Sequence, residues 1–384
     1  MNVLMIGLGD HILTEPAGEA RRRHERYAAR AGHLTVIVYS KARGPLPGGP
    51  LSANLAAYAA RGARAAFLLR AVWLGLRHAH RPVHLVTTQD PFITGLAGVI
   101  LARLLGAPLL VQNHSSFFDN PYWLAEHRWR NRFFNRLGKW VVRRAAMNRV
   151  VNEAEREKYL ALGLPPERVR VVPMANTGPF AAPLPPEQVA AQRAAWGLGA
   201  SHRVVLWVGH PVQLKRIPTL LEVMRRVVAE VPEARLVLVG DLCAAAEDIP
   251  AEVARRGLEG YVITPGPVPF DELPAVYQAA DVYALTSVYE GMPRVFSEAA
   301  ASGLPFVAMD IAALRGVIRD GENGYLLPQG DVAGFAARVV GLLREPERAR
   351  AMGARGRAWA LEHLDSERLL EAWMALWEET ARSG

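Results

Sequence analysis

The sequence predicts an α/β protein with two doubly wound parallel sheets. Short apolar runs alternate with amphipathic stretches, which is typical of strands joined by covering helices. A proline-rich segment interrupts this alternation once, and the same pattern then begins again. The 384 residues exceed one ordinary core but suit two domains. The composition, 51% hydrophobic and 21% charged, is that of a globular chain.

The first half contains six predicted strands. They are the runs "NVLMIGL", "LTVIVYS", "VHLVTTQ", "PLLVQNH", "NRVVN" and "VRVVPM". Such nearly continuous apolar runs indicate strands buried on both faces of a parallel sheet. Segments such as "EARRRHERYAARAG" and "GLAGVILARLLGA" carry an amphipathic pattern and close on a glycine, which predicts capped helices between the strands.

The second half repeats the pattern after "NTGPFAAPLPPEQ", residues 176–188, a proline-rich stretch interpreted as the interdomain connection. Its predicted strands are "RVVLWVG", "ARLVLVG", "YVITPG", "DVYALTS" and "PFVAMD". The chain closes on an amphipathic helix with no strand after it, and we expect that helix to pack back on the first domain. The predicted boundaries are an N-terminal domain at 1–178, a linker region at 179–199, a C-terminal domain at 200–360 and the last helix at 361–384.

Composition limits the classes of function. The single cysteine, Cys243, excludes an internal disulfide and fits a reducing compartment such as the cytoplasm. No cysteine–histidine spacing suits a zinc site. The N-terminal "MNVLMIGLGD" is interpreted as a first strand and not as a signal peptide, and the longest apolar stretch is too short to span a bilayer. The net charge of +8 favours anionic partners without choosing among them.

The stretch "SVYEGMPRVFSEAAASG" places two carboxylates around a predicted helix start. The backbone amides from Gly291 to Arg294 are expected to favour an anion such as a phosphate, with Pro293 at the first helical position. Glu298 is then placed to accept hydrogen bonds from a vicinal diol, and Glu290 to reach the other end of the ligand. The alternative is that Glu298 only complements the helix dipole and Glu290 is a solvated loop residue.

Three further loops follow predicted strands. In "VGHPVQLKR", Lys215 and Arg216 would neutralise a diphosphate, unless the loop is only a solvated basic one. Gly7 and Gly9 follow the first strand, but without the third glycine of a dinucleotide fingerprint, so a tight turn is an equal alternative. His114 follows a later strand, where it would contact a sugar or be structural.

Residues 127–149, "HRWRNRFFNRLGKWVVRRAAMNR", carry eight Lys or Arg, no acidic residue and four aromatic residues. A basic aromatic helix of this kind is expected to lie on an anionic membrane surface. The alternative is a basic-faced helix that packs its aromatic residues on the sheet. No recognised nucleic-acid motif accompanies it, so nucleic acid is not an expected partner.

The combination of motifs resembles glycosyltransferase family 4, whose members are retaining transferases of the GT-B fold. The stretch "EGMPRVFSE" matches that family's Glu-x7-Glu motif, within the longer "DVYALTSVYEGMPRVFSEAAASGLPFVAMD" and the following "GVIRDGENGYLLPQGD". "VGHPVQLKRIPTLLE" resembles its basic loop, and "TTQDPFITGLAGVILARLLGAPLLVQNH" and "VVNEAEREKYLALGLPPERVRVVPM" resemble its acceptor domain. The resemblance implies two domains facing a cleft.

The resemblance also implies roles for the site residues. Glu298 would hold the donor ribose, Glu290 would lie near the transferred sugar, and Lys215 would meet the diphosphate. His114 would lie close to the reacting sugar. The implied catalytic residues are Lys215, Glu290 and His114. The implied donor-binding set is Gly7, Gly9, Gly209, His210, Lys215, Arg216, Gly266, Glu290, Gly291, Met292, Pro293, Arg294 and Glu298. One position departs from the family pattern, because His210 stands where the family usually has arginine.

The predicted activity is transfer of a sugar, with retention, from a UDP- or GDP-linked donor to a hydroxyl of a glycan, lipid-linked or small-molecule acceptor. No metal and no cofactor are expected, because no DxD-type acidic pair precedes the site. The alternatives are a nucleotide-sugar epimerase of the same fold and a non-catalytic nucleotide-sugar or glycan-binding protein. The expected location is the cytoplasm, with peripheral contact at the inner membrane face through residues 127–149. The sequence does not indicate an oligomeric state.

Overall fold

The fold consists of two compact α/β units. The computed structural model describes residues 1–41, 48–63, 66–245 and 247–383. Unit 1 comprises Met1–Pro173 together with Leu370–Gly384, and unit 2 comprises Met174–Leu369. Among the described residues, no helix combines the length and apolar character that crossing a bilayer requires.

Unit 1 is built on an eight-stranded sheet in the order β3-β4-β2-β1-β5-β6-β7-β8. Its strands are β1 (Asn2–Gly7), β2 (His33–Ser40), β3 (Gly49–Ser52), β4 (Leu55–Arg61), β5 (Leu85–Thr88), β6 (Leu109–Gln112), β7 (Met147–Val150) and β8 (Val169–Val171). All neighbouring pairs are parallel except the antiparallel pair of β3 and β4.

Helices cover both faces of this sheet. They are α1 (His11–Thr14), α2 (Glu19–Ala31), α3 (Phe67–His78), α4 (Ile93–Leu105), α5 (Pro121–Glu126), α6 (Arg128–Arg144), α7 (Glu153–Ala161) and, from the end of the chain, α16 (Ser366–Arg382). One core joins α1, α2 and α16 to one face of the sheet, where Trp373 and Trp377 are buried. The other core joins α3, α4 and α6 to the opposite face.

Unit 2 contains a six-stranded, fully parallel sheet in the order β11-β10-β9-β12-β13-β14. Its strands are β9 (Arg203–Val208), β10 (Ala234–Val239), β11 (Val262–Gly266), β12 (Val282–Leu285), β13 (Phe306–Met309) and β14 (Gly324–Leu327). Its helices are α8 (Gly178–Ala181), α9 (Pro186–Ala195), α10 (Ile217–Glu230), α11 (Ile249–Arg255), α12 (Leu273–Gln278), α13 (Arg294–Ala301), α14 (Val332–Arg344) and α15 (Pro346–His363). Apolar cores lie on both faces of the sheet.

The predicted doubly wound α/β class is confirmed, and the strand runs named above all form strands. Three observed strands, β3, β4 and β14, were not predicted from the sequence. β3 contains glycine and proline, β4 is rich in alanine and β14 begins with a glycine, so each has weak β propensity. Helices α2 and α4 end at Gly32 and Gly106, whose positive φ angles of 109° and 64° favour glycine.

The predicted domain boundaries differ from the observed units. The linker region predicted at 179–199 belongs to unit 2, because Phe180, Trp196 and Leu198 are buried in its core. Three of the four prolines that suggested a linker instead stand at helix starts, as Pro186 does at the start of α9. Unit 2 therefore begins at 174 and ends at 369, not at 200 and 360, and the first nine residues of the predicted last segment belong to it.

Candidate functional site

Three glycines lie side by side at the carboxyl ends of β9, β10 and β11. The Gly209 amide donates to the Val239 carbonyl at 3.0 Å, and the Gly240 amide donates to the Gly266 carbonyl at 3.0 Å. A Cβ on Gly240 would lie 2.1 Å from the Gly209 carbonyl oxygen, so no other residue fits there without moving the backbone. The sequence prediction includes Gly209 and Gly266 but omits Gly240, although it too directly follows a predicted strand.

Lys215 and Glu290 form a largely buried ion pair next to these strand ends. The Lys215 Nζ lies 2.7 Å from Glu290 Oε1, and each side chain is only 13% exposed. The Ser287 hydroxyl donates to the same carboxylate oxygen at 2.7 Å. Because an ammonium group has three donors, Lys215 can bind Glu290 and still donate to a phosphate. The sequence prediction placed the two residues near different parts of a ligand, whereas the structure shows them in direct contact.

The loop after β9 and the loop after β12 are tied together by hydrogen bonds to backbone carbonyls. The Thr286 hydroxyl donates to the carbonyl oxygens of Lys215 and Arg216, at 2.8 and 3.2 Å. The Val288 amide donates to the Leu214 carbonyl at 3.0 Å. Arg216 has a φ of 53°, a left-handed conformation that costs on the order of 1–3 kcal/mol for a residue with a side chain. These contacts hold Lys215 against the loop that carries Glu290.

Helix α13 begins at Arg294, one residue later than predicted. Pro293 is the N-cap residue, and it offers no side-chain acceptor to the amides of the first turn. Gly291 and Pro293 are buried, whereas Met292 and Arg294 are partly buried. The amides at the start of a helix favour an anion when no side chain caps them.

Glu298 lies in the second turn of α13 and is buried. The Tyr277 hydroxyl donates to Glu298 Oε2 at 2.7 Å, and the Arg294 Nε lies 3.9 Å from Glu298 Oε1. Burial, and then the charge of Glu298, raises the pKa of Tyr277 well above its usual range, so its hydroxyl stays protonated and donates. Glu298 is therefore a buried side chain fixed by a hydrogen bond, and Glu290, 13% exposed in its ion pair, is not a solvated loop residue.

His210, the departure from the family pattern, is exposed. Its backbone carbonyl accepts a hydrogen bond from the Val212 amide at 2.8 Å, which closes a tight turn after Gly209. The basic groups nearest in sequence are Lys215, which is mostly buried, and Arg216, which is exposed.

The glycines of unit 1 lie at the end of β1. A Cβ on Gly7 would lie 2.5 Å from the Gln89 Oε1, so Gly7 leaves room for this neighbouring side chain. Gly9 has more space, with its nearest neighbour, a carbon of the His11 ring, 3.7 Å from an added Cβ. The packing thus explains Gly7 without a ligand, and the role of Gly9 stays a prediction.

His114 is held by a buried arginine. Arg149, on β7, places its Nη1 3.3 Å from His114 Nδ1, and it also donates to the Val172 carbonyl and the Gln112 side chain. Burial, followed by the charges of Arg149 and Arg23, lowers the pKa of His114 to about 3. Since guanidinium only donates, Nδ1 accepts, and the neutral imidazole carries its proton on Nε2. His114 is thus a hydrogen-bond donor at neutral pH.

Two imidazoles of unit 1, that of the buried His24 and that of the partly buried His114, predict acid destabilisation. The pKa of His24 is lowered to about 4, chiefly by burial, and that of His114 to about 3, whereas an unfolded histidine titrates near 6.5. The unfolded chain therefore binds more protons below about pH 6.5, and the free energy of unfolding falls as the pH falls through this window. Urea titrations followed by circular dichroism should show this loss, with a shallower pH slope in His24→Gln. Equal slopes in the two proteins would contradict it.

Several supporting residues lay outside the sequence prediction. Ser287 and Thr286 stand just before Glu290, and their polar character at a strand end was an available signal. Tyr277 and Arg149 have no comparable signal, because they reach the site residues only through the fold. Within the described stretches, no group of three or more His, Cys, Asp or Glu side chains is placed to hold a metal ion.

Two family models match the chain. The glycosyl transferase 4-like domain covers residues 12–175, and the model called glycosyl transferases group 1 covers residues 202–345. The D-inositol 3-phosphate glycosyltransferase of Kineococcus radiotolerans is 32% identical over 297 residues, covering 73% of this chain and 68% of the relative. The chain belongs to glycosyltransferase family 4.

Other relatives of this family 4 member match a smaller share of their length. The D-inositol 3-phosphate glycosyltransferase of Segniliparus rotundus is 30% identical over 285 residues, 72% of this chain and 62% of the relative. A GDP-mannose-dependent alpha-(1-6)-phosphatidylinositol monomannoside mannosyltransferase of Mycolicibacterium smegmatis is 29% identical over 239 residues, 58% of this chain and 62% of the relative. The chain thus matches less than two thirds of the length of these two relatives.

Solved structures of low identity confirm the GT-B fold. Sucrose-phosphate synthase from Thermosynechococcus elongatus superposes with a TM-score of 0.81 at 22% identity, covering 100% of both chains. Anabaena HepE in complex with UDP superposes with a TM-score of 0.78 at 16% identity, covering 99% of this chain and 100% of that one. At these identities the likeness concerns the fold alone.

Proposed function

We propose that this family 4 member transfers a sugar from a nucleoside diphosphate sugar to an acceptor hydroxyl, with retention at the anomeric carbon. The observation that carries the proposal is the buried pair of Lys215 and Glu290, held by two joined loops at the carboxyl ends of β9 and β12. In open parallel sheets, ligands bind at these ends of the strands. A cation that contacts Glu290, four residues before the start of α13, suits a diphosphate.

The proposed chemistry places stabilising groups where charge develops. The bond between the anomeric carbon and the diphosphate oxygen breaks, the acceptor oxygen bonds to the same face of that carbon, and the leaving phosphate takes the acceptor's proton. Lys215, Arg216 and the first amides of α13 would stabilise the charge on the leaving group, which is usually the largest catalytic contribution. Glu290 orients the Lys215 ammonium and lies near the transferred sugar, and Glu298 binds the ribose. No metal is part of this proposal.

The donor is proposed to be UDP- or GDP-linked. A GT-B structure of the same fold was solved with UDP, and one relative is named as GDP-mannose-dependent. His114, with its proton on Nε2, would donate to a sugar hydroxyl, and Gly9 would lie near the phosphates or the acceptor. The acceptor is proposed to be a hydroxyl of a glycan, a lipid-linked or a small-molecule acceptor.

The relatives favour transfer over the epimerase alternative, since those described above are named as transferases. The test is to incubate the protein with UDP- and GDP-sugars, with and without glycan, inositol phosphate and lipid acceptors. We expect nucleotide release that depends on the acceptor, with the new linkage retaining the donor configuration by NMR. An epimer formed without acceptor would support the epimerase, and tight nucleotide-sugar binding with no turnover on any acceptor would support the non-catalytic protein.

We further propose that helix α6 contacts an anionic membrane surface at the inner face of the cytoplasmic membrane. Its buried side carries Asn131, Asn135 and Gly138, whereas Trp129 and Phe133 are 84% and 61% exposed. The alternative in which the helix packs all its aromatic residues inward therefore fits only one of the four, Phe134, whose ring lies tilted at 5.6 Å from that of Phe92 at the start of α4.

Cations surround the exposed aromatic residues of α6. The helix carries seven Lys or Arg and no acidic residue, and Arg144 lies 3.7 Å above the Trp140 ring. On α3, the exposed Leu69 and Trp73 belong to the same helical layer, which α4 joins to α6. Exposed tryptophan beside arginine suits the headgroup region of a bilayer that contains anionic lipid. The cytoplasmic location is consistent with the single cysteine.

Replacing Trp129 and Phe133 together by serine tests the membrane proposal. We expect wild type to sediment with phosphatidylcholine vesicles that contain phosphatidylglycerol and not with phosphatidylcholine alone, because the surface is cationic. The double variant should bind about tenfold more weakly, since it loses two large apolar contacts. Val212→Ser, which changes an exposed apolar residue of unit 2, is the control. Binding that ignores lipid charge, or an unaffected double variant, would count against the proposal.

A further inference from the structure

The hydroxyl of Tyr277 is aimed at the carboxylate proposed to bind the donor ribose. Tyr277 lies on α12 and is fully buried, and its hydroxyl donates to Glu298 Oε2 at 2.7 Å. The contact joins two buried side chains, where a hydrogen bond to a charged group is stronger than on the surface. This contact fixes the Oε2 oxygen of Glu298 inside unit 2.

The ring of Tyr277 is held from two sides. It stacks on Tyr283 at 5.9 Å, and Phe180 meets it edge-on at 5.3 Å. Tyr283 stacks in turn on Phe306 at 4.8 Å. A tyrosine packed in this way has few alternative rotamers, so the position of its hydroxyl is set by the core and not by the ligand.

The second oxygen of Glu298 has a different environment. Oε1 lies 3.9 Å from the Arg294 Nε, at the first residue of α13, where the proposed diphosphate site begins. Because Tyr277 holds Oε2, rotation of the carboxylate is restricted and Oε1 keeps its side toward the helix start. A carboxylate fixed in this way is preorganised to accept from a sugar hydroxyl without the entropy cost of ordering it.

We propose that Tyr277 is a positioning residue that holds Glu298 for the ribose of the donor, so that the preference for ribonucleotides over deoxyribonucleotides depends on its hydroxyl. This inference rests on the proposed role of Glu298. Part of the specificity of the nucleotide site then depends on a core residue that lies 21 positions before Glu298 in the sequence.

The control is provided by the second tyrosine of the same stack. Tyr283 is equally buried, but its hydroxyl bonds to the backbone of Val208, donating to the carbonyl at 3.1 Å and accepting from the amide at 3.2 Å. Phenylalanine at either position keeps the ring and removes one hydroxyl. The two variants therefore share a structural effect, and only Tyr277→Phe removes a contact with Glu298.

The experiment measures the affinity of UDP, GDP and their 2′-deoxy forms by isothermal titration calorimetry. For the nucleotide that binds, we expect wild type to prefer the ribose form, and Tyr277→Phe to lower this preference about three- to tenfold. Tyr283→Phe should leave the preference unchanged. In Glu298→Gln the preference should be small, and adding Tyr277→Phe should lower it no further, because the hydroxyl acts through the carboxylate.

The outcomes distinguish a failure of the positioning role of Tyr277 from a failure of the proposed role of Glu298. An unchanged preference in Tyr277→Phe, together with a reduced one in Glu298→Gln, overturns the positioning role and leaves the role of Glu298 intact. Equal losses in Tyr277→Phe and Tyr283→Phe also overturn it, because they indicate a general effect on packing. If wild type has no ribose preference, or binds neither nucleotide, both the proposed role of Glu298 and the inference are overturned.

Discussion

Replacing Lys215 by alanine is expected to lower kcat by about two to three orders of magnitude. The reason is the loss of a cation that would face the charge developing on the leaving diphosphate, an interaction stronger in the transition state than in the ground state. Release of UDP or GDP under saturating donor and acceptor measures the effect. KM for the donor should change less than kcat.

The Lys215→Ala variant also leaves Glu290 without its ion-pair partner in a largely buried place. Breaking such a pair is destabilising by itself, so a second variant, Lys215→Ala with Glu290→Gln, removes the uncompensated charge. If the loss of kcat persists in that double variant and its melting temperature is near wild type, the cation itself matters for turnover. Arg225→Ala, which removes an exposed ion pair with Glu222, is the control. Wild-type kcat in Lys215→Ala would contradict the proposed role.

Replacing Glu298 by glutamine is expected to weaken nucleotide-sugar binding by about 10- to 100-fold. A hydrogen bond to a charged group contributes about 1.5–3 kcal/mol, and the neutral amide is the weaker acceptor. Glutamine keeps the shape and can still accept from Tyr277, so the fold should be preserved. Calorimetric titration with the donor measures the change.

The matched control for Glu298→Gln is Glu222→Gln, which makes the same chemical change at a surface ion pair of unit 2. It should leave donor affinity and melting temperature close to wild type. If Glu298→Gln bound the donor as tightly as Glu222→Gln does, Glu298 would have no part in the site. A loss confined to kcat would place Glu298 at the reacting centre and not at the ribose.

The alternation of apolar runs was enough to predict both sheets, because strands buried on two faces leave a strong signal. The loops that end these strands also held the polar residues that the structure brings together, as with Lys215 and Glu290. Strands that contain glycine, proline or several alanines, such as β3 and β4, gave no such signal. Proline content led to a wrong linker prediction. Pro186 is the first residue of a helix of unit 2 and not part of an interdomain connection.

Contacts that depend on packing lay beyond the sequence. Nothing local to Tyr277 indicates that its hydroxyl reaches Glu298, and nothing local to Arg149 indicates that it reaches His114. The orientation of helix α6 likewise could not be predicted from the sequence. Its basic and aromatic residues were visible in the sequence, but periodicity does not say which side faces the sheet. The structure buries two asparagines, a glycine and two valines there and leaves Trp129 exposed.

The most direct test of the whole account is a crystal structure of the protein with UDP or GDP, whichever binds more tightly. We expect the diphosphate to contact the Lys215 ammonium and the first amides of α13, with a ribose hydroxyl donating to Glu298. A nucleotide bound away from these groups, or seated with its ribose out of hydrogen-bonding distance of Glu298, would contradict the account.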